Sequence, residues 1–189
     1  MTTLIWPDLV PDDRMTYMVG LVVRSAVELD AMTREAFASL RGDDPLVSAQ
    51  APLQFGPRIQ AMMKLVPSAP LTRFQAQHTE AALVAARDSY QERNRFIHDS
   101  IMKASADEWF MSRFDKKSGA DRMPMKAVTL NDLSECDNNL NRAAWRMWGL
   151  HKALQANKTA ELPTKQTNWD MLLSNSFSLH PGNSVSYNH

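Results

Sequence analysis

Apolar residues recur along most of the chain at the spacing of an α-helix. The longest such stretch runs from about Arg14 to Leu40, where apolar side chains return every three or four positions. They include Met18, Val22, Ala26, Leu29, Ala36, Phe37 and Leu40. The pattern predicts a long first helix with one buried face. Gly42, which suits the left-handed cap position, and Pro45 predict where it ends.

Two further helices are predicted in the middle of the chain. A short helix fits Arg58 to Val66 and ends where prolines accumulate. A longer helix begins after Thr72, whose hydroxyl suits an N-cap, and extends to about Ile101.

The region from about residue 108 to 128 changes to an alternating pattern. Aromatic residues from Glu108 to Phe114, a turn that contains Gly119, and alternation from Arg122 to Val128 predict a β-hairpin. Pro124 lacks a backbone N–H, so we expect the second strand to lie at an edge.

A last long helix is predicted after the hairpin. Thr129 and Asp132 have the form of a capping box, and the apolar period continues to about Gln155. From Asn157 the composition shifts to Asn, Ser, Thr and Pro. We therefore expect a mainly α-helical domain over residues 1–156 and an extended polar tail over residues 157–189.

Composition and charge exclude several classes of protein. The 189 residues carry 21 basic and 21 acidic side chains, and 44% are hydrophobic. Net neutrality argues against a polycationic coat for nucleic acid, and the apolar share argues against intrinsic disorder. A single cysteine, the absence of a signal peptide pattern and the absence of a membrane span favour a soluble cytoplasmic protein.

The sequence offers few known catalytic patterns. It has no glycine-rich phosphate loop, no Cys/His set with zinc spacing and no HExxH motif, so we expect neither cofactor nor metal. Cys136 falls on an apolar stripe of the last helix, where an inert buried thiol is the usual role. The twelve methionines follow core periods and are interpreted as packing residues.

An arginine followed five positions later by a histidine occurs three times. The pairs are Arg73 with His78, Arg93 with His98, and Arg146 with His151. The middle pair is preferred because Asn94 follows its arginine and because the pair closes the third predicted helix. We expect His78 to be a partly buried helix residue, and His151 to lie in the last turn of a helix, where the dipole favours it.

The segment Arg93-Asn94-Arg95-Phe96-Ile97-His98 resembles the RNxxxH form of the R-x4-H motif of the HEPN superfamily. That superfamily comprises helical domains of many prokaryotic toxins, abortive-infection proteins and CRISPR-associated RNases. The order of predicted elements is similar over about residues 14–156. The resemblance implies an up-and-down bundle of four or more helices, with the hairpin inserted before the last long helix. It also implies a metal-independent endoribonuclease that works as a homodimer.

The candidate catalytic residues are Arg93, His98, Asn94 and Glu28. A histidine can move protons near neutral pH, and an arginine fork matches two phosphate oxygens. Asn94 and His98 are four apart, so they share a helix face. Glu28 is included because the resemblance implies a polar residue on the first helix, and Glu28 is a carboxylate in an otherwise apolar stretch.

Each of these residues also has a structural interpretation. Arg93 can pair with Glu92 or Asp99, His98 can satisfy a carbonyl at the helix end, and Glu28 can be a solvated surface charge. A catalytically inactive binding or dimerisation module is therefore the alternative function, with aromatics such as Trp109, Phe110, Phe114, Trp145, Trp148 and Trp169 at its interface. A third interpretation is a regulator or assembly factor that uses the polar tail as a contact arm.

The RNase interpretation carries expectations about partners. Single-stranded RNA is the expected substrate, contacted by Arg93, Arg95, Lys103, Lys116 and Lys117. A second copy of the chain is expected to complete the cleft, and a toxin of this kind is expected to have an antitoxin protein. No membrane partner is expected.

Overall fold

A computed structural model of the chain describes residues 11–42, 52, 54–69, 71–105, 108–112 and 125–159. Most of these residues lie in four α-helices, and a small antiparallel sheet separates the third helix from the fourth along the chain. In this part of the chain, every helix is too short or too polar to cross a membrane.

The helices follow the predicted order with shifted ends. Helix α1 spans Pro11–Arg41, α2 spans Phe55–Leu65 and continues into a 3-10 turn at Val66–Ser68, and α3 spans Arg73–His98. Helix α1 ends at Gly42, whose φ of 84° is the left-handed conformation that glycine adopts without steric cost. The end predicted for the first helix is confirmed.

Helix α4 is Leu130–Thr159 and begins at the predicted capping box. The Thr129 hydroxyl accepts a hydrogen bond from the Asp132 N–H at 3.1 Å, and an Asp132 carboxylate oxygen accepts one from the Thr129 N–H at 2.7 Å. The helix extends past Gln155 to Thr159, so the first residues assigned to the tail are helical. Residues 160–189 lie outside the described residues.

Helix α3 begins with a second capping box. The Gln75 N–H donates to the Thr72 hydroxyl at 3.3 Å, and the Thr72 N–H donates to the Gln75 side-chain carbonyl at 2.8 Å. The N-cap predicted at Thr72 is confirmed. The two boxes differ in charge, because the reciprocal acceptor is an amide in one and a carboxylate in the other.

The predicted two-stranded hairpin is one part of a three-stranded sheet. Strands β1 (Ser100–Lys103), β2 (Trp109–Ser112) and β3 (Met125–Val128) pair antiparallel in the order β1-β2-β3. The third helix was predicted to reach Ile101, which is wrong, because the chain becomes extended after His98 and pairs with β2. Ile97 and Ile101 fit a helical spacing, but Ile101 and Lys103 equally fit the alternation of a strand.

Strand β3 lies at one edge of the sheet, as predicted. Trp109 of β2 faces Val128 of β3 and Lys103 of β1 across the strands, and both Trp109 and Val128 are buried. Residues 113–124, which include the predicted turn and Pro124, lie outside the described residues.

The chain divides into two compact units. The first unit comprises Met1–Glu28 and Asp88–Asn141, and the second comprises Leu29–Arg87 and Arg142–His189. The core of the first unit includes Met18, Val22, Ala26, Phe96, Trp109, Leu133, Cys136 and Leu140. The core of the second includes Leu29, Phe37, Phe55, Ile59, Met62, Leu83, Met147 and Leu150.

The second unit also buries a charged residue that the sequence analysis did not select. The Arg58 side chain is 0% exposed, and its Nη1 donates to the Asp30 carboxylate at 2.8 Å and to the Asp30 backbone carbonyl at 3.2 Å. Its Nε donates to the Pro52 carbonyl at 3.0 Å. This arginine links the middle of α1 to the start of α2.

Candidate functional site

The candidate motif occupies the last two turns of α3, inside the first unit. Phe96 is 7% exposed and anchors this end of the helix in the core, and Ile97 is half-buried. Asn94 and His98 lie one turn apart on the same helix face, as the spacing predicts. Buried apolar residues therefore fix the end of α3 in the core, and the polar side chains of the motif extend from it.

Arg93 is held by two neighbours on its own helix. Its Nη1 donates to the Asn94 side-chain carbonyl at 2.9 Å, and its guanidinium carbon lies 5.2 Å from the centre of the Tyr90 ring. Its Nε is buried and has no hydrogen-bond partner in the described part of the chain. A buried donor without a partner is costly, by about 1–3 kcal/mol, so such a group needs a physical explanation.

His98 is exposed at the carboxyl end of α3. Neither a hydrogen bond nor an ion pair joins it to the residues that the structure describes. Arg95 lies in the same last turn, where positive charge is favoured by the helix dipole. The imidazole is accessible to a ligand, but within one chain it is not in contact with Arg93.

Glu28 lies on the surface of α1. Its side chain is 55% exposed and approaches Arg24 Nε at 3.8 Å. No contact joins it to Arg93, Asn94 or His98 among the described residues. The structure thus brings Arg93 and Asn94 together and places His98 on the same helix. Glu28 pairs instead with Arg24, which is not part of the motif.

Three polar residues beside the motif were not selected from the sequence. Glu92 accepts a hydrogen bond from the Asn139 side-chain amide at 3.5 Å, and the Ser89 hydroxyl donates to the Asn139 backbone carbonyl at 3.4 Å. These contacts fasten α3 to α4. Asn139 lies between the buried positions Cys136 and Ala143 of α4, which is a signal that could have identified it, whereas Glu92 has mainly polar residues one turn away.

A second contact fastens α1 to α4. The hydroxyl of Ser25, which is fully buried, donates to the Asp137 carboxylate at 2.5 Å. Ser25 is the polar residue of α1 that faces the interior of this unit, whereas Glu28 faces solvent.

Cys136 lies among these charged groups and is fully buried. Burial, and to a lesser extent the carboxylates of Glu92 and Asp137, raise the pKa of its thiol to about 12, against the opposing effect of the Arg93 charge. A thiol with this pKa stays protonated at neutral pH and is a poor nucleophile. The prediction that Cys136 is buried is confirmed.

The two other histidines with the same spacing from an arginine lie in different surroundings from those predicted. His78 was predicted to be partly buried but is exposed. Its ring packs edge to face with that of Phe74, with the ring centroids 4.1 Å apart. His151 is buried and its Nδ1 lies 2.8 Å from the Ser39 hydroxyl, rather than in a last helical turn. The second prediction fails because α4 continues to Thr159.

The expected RNA contacts and aromatic residues can be located in part. Arg95 and Lys103 are exposed, whereas Lys116, Lys117, Phe114 and Trp169 lie outside the described residues. Trp109 is buried, and Phe110, Trp145 and Trp148 are half-buried. Trp145 and Trp148 pack edge to face with their ring centres 5.6 Å apart, so their contact is at least partly internal.

Comparison of the chain with protein-family models, with curated proteins and with solved structures finds no match in any of the three.

Proposed function

We propose that this protein is a metal-independent endoribonuclease of HEPN type, active as a homodimer in a toxin or phage-defence role. The observation that carries the proposal is the state of Arg93. Asn94 accepts a hydrogen bond from Nη1 of the guanidinium, while the buried Nε has no acceptor among the residues that the structure describes. A phosphate oxygen would satisfy that donor once the side chain swings outward, and the arginine fork suits two such oxygens.

The proposed reaction requires removal of one proton, delivery of another and stabilisation of the charge on the phosphate. The ribose 2′-oxygen forms a bond to phosphorus and the bond from phosphorus to the 5′-oxygen breaks, which leaves a 2′,3′-cyclic phosphate and a 5′-hydroxyl. One proton leaves the 2′-hydroxyl and one arrives at the 5′-oxygen. Arg93 stabilises the charge on the phosphate, Asn94 positions Arg93, and His98 transfers a proton, a contribution of about 10²–10⁴-fold in rate.

A second copy of the chain supplies what a single motif lacks. The motif holds a single histidine, but the reaction has two proton transfers at different oxygens. In the structure His98 is exposed and has no hydrogen bond or ion pair among the described residues, so it is accessible to a cleft formed with another copy. The proposal places His98 from each copy beside one phosphate, with closed two-fold symmetry.

Cleavage of single-stranded RNA in the presence of EDTA tests the proposal. The wild type should release products with cyclic-phosphate ends, and His98→Gln should lower the rate by about 10²-fold or more because one proton transfer is lost. His78→Gln is the matched control, because His78 is also an exposed histidine of α3 placed five residues after an arginine.

Two results would contradict the RNase proposal. One is cleavage that stops when the metal is chelated, and the other is an equal rate for His98→Gln and the wild type. Thermal unfolding of each variant shows whether a loss of rate reflects a loss of fold.

A non-enzymatic binding module is the second candidate, favoured by the inward contacts of Arg93. Its hydrogen bond to Asn94 and its position over Tyr90 describe an arginine that braces a helix end. If this is its role, Arg93→Met lowers stability, and expression of the wild type and of His98→Gln is tolerated equally by growing cells.

A further inference from the structure

A groove of about 350 Å³ opens in the first unit between α1 and the sheet. It is lined by Met15, Thr16, Val19, Ile101, Lys103 and Trp109. Four of these side chains are apolar, one is a hydroxyl and one is an ammonium, and these described lining residues include no carboxylate. Ligand pockets have volumes of about 300–1,000 Å³, so this groove suits a group the size of one nucleoside.

The register of the sheet builds one wall of the groove. Ile101 and Lys103 are two apart on β1 and therefore lie on the same face. Lys103 pairs directly across the strands with Trp109, which places their Cβ atoms within about 5.5 Å. Lys103 is exposed, whereas Trp109 is 8% exposed. The groove therefore has an indole in its floor and a positive charge at its rim.

We infer that this groove binds one nucleobase of single-stranded RNA, with Lys103 holding the phosphate of the same nucleotide. Sites for single strands combine an aromatic surface for a base with a cation for the backbone, and this groove has both. The ammonium of Lys103 is the charged group among its described lining residues, and a positive charge suits a polyanion. The inference rests on the proposed function, since it makes the groove the subsite beside the phosphate that is cleaved.

The position of the groove along the chain supports this role. Strand β1 begins directly after α3, and Ile101 lies three residues beyond His98. Three residues of extended chain span at most about 11 Å, so the Cα atoms of His98 and Ile101 are no further apart than this. An RNA strand with its cleaved phosphate at His98 would bring an adjacent base to the groove.

Binding of a fluorescein-labelled 2′-O-methyl oligonucleotide, which lacks the attacking hydroxyl, tests the groove by fluorescence anisotropy. Val19→Phe fills the groove and should weaken binding about tenfold, in keeping with the loss of one base contact. Val23→Phe is the matched control, because Val23 is 37% exposed one turn further along α1 and does not line the groove. It should bind as the wild type does.

The charge at the rim is tested separately. Lys103→Gln should weaken binding. It should also reduce the slope of the logarithm of the binding constant against the logarithm of the salt concentration by about one, because one fewer counterion is released. Lys64→Gln, which removes an exposed lysine from α2, should leave both unchanged. An oligonucleotide with abasic sites should bind the wild type and Val19→Phe equally and weakly.

The groove and the RNase proposal fail in different ways. Binding by Val19→Phe or by the abasic oligonucleotide as tight as the wild-type complex would overturn the groove, and so would an absence of binding by the wild type. If the groove variants bind normally while the wild type cleaves RNA and His98→Gln does not, the enzyme stands without this subsite. If binding depends on Val19 and Lys103 but no RNA is cleaved, the subsite stands without the enzyme.

Discussion

Arg58 shows how a single residue can hold two helices of this protein together. Its charge is fully buried, and its acceptors include the carboxylate and the carbonyl of Asp30 and the carbonyl of Pro52. Removal of one member of such a pair leaves an uncompensated buried charge or unpaired carbonyls, which costs more than the pair itself contributes. Arg34 contacts the same carboxylate at 3.0 Å but is 37% exposed.

This contrast gives a prediction for stability. Arg58→Met should lower the free energy of unfolding by about 3 kcal/mol, because Asp30 and two carbonyls lose their buried donor. Arg34→Met should cost less than about 1 kcal/mol, because its ion pair is exposed to solvent. Urea unfolding of both variants measures the difference. Equal costs would mean that the buried arginine is not the main link between α1 and α2.

At the scale of elements, the two capping boxes fix where the long helices begin. Burial raises the pKa of the Asp132 carboxyl, but the hydrogen bonds from Thr129 and the charge of Lys126 together lower it by more. The net pKa therefore lies below its usual value. Because the folded pKa is lowered, the stabilisation is present above the unfolded pKa and disappears as the pH falls through the folded one. The box at Thr72 and Gln75 has no titrating group.

The boxes should therefore respond differently to acid. At neutral pH, Thr129→Ala and Thr72→Ala should each cost about 1 kcal/mol, the usual value for a lost N-cap. Below the pKa of the Asp132 carboxyl, the cost of Thr129→Ala should shrink while that of Thr72→Ala stays constant. Thermal unfolding as a function of pH measures both. A parallel decline for the two variants would contradict the role assigned to Asp132.

The local signals explain which elements could be predicted from the sequence. Gly42, Thr72 and Thr129 mark helix ends through chemistry that acts within a few residues, and all three predictions hold. Strand β1 was missed because its pairing with β2 is a non-local contact, and Ile101 fits a helix as well as a strand. The length of α4 was underestimated because residues after Gln155 lack an apolar period.

The candidate site could be predicted only as far as the helical spacing reaches. Asn94 and His98 share a face because they are four apart, and the sequence suffices for that. The contact of Arg93 with Asn94, and the pairing of Ser25 with Asp137, depend on side-chain conformations and on packing between helices. Glu28 was selected because it is a charge in an apolar stretch, but its position on α1 is turned toward solvent.

At the scale of the whole molecule, the proposed function requires more than one chain. The protein has no net charge, so long-range attraction to RNA is weak and a short, local contact must supply the affinity. A cleft shared by two copies would double the number of motif side chains at one phosphate. The state of assembly is therefore part of the proposed mechanism.

Mixing experiments test this requirement. Sedimentation equilibrium should show a dimer of the wild type. A large excess of His98→Gln should lower the cleavage rate of a fixed amount of wild type, because mixed dimers lack one imidazole. An equal excess of His78→Gln, which carries an intact motif, should not lower it. Full cleavage by a monomer would contradict the shared cleft.

Neither compact unit is a continuous piece of the chain, and this has a consequence for its synthesis. The segment Met1–Glu28 leaves the ribosome before the rest of its unit, Asp88–Asn141, which follows only after the whole of Leu29–Arg87. At about 5–20 residues per second, the wait lasts on the order of several seconds. During that time Met18, Val22 and Ala26 lack the residues against which they are buried in the folded protein, so we expect this apolar segment to bind a ribosome-bound chaperone.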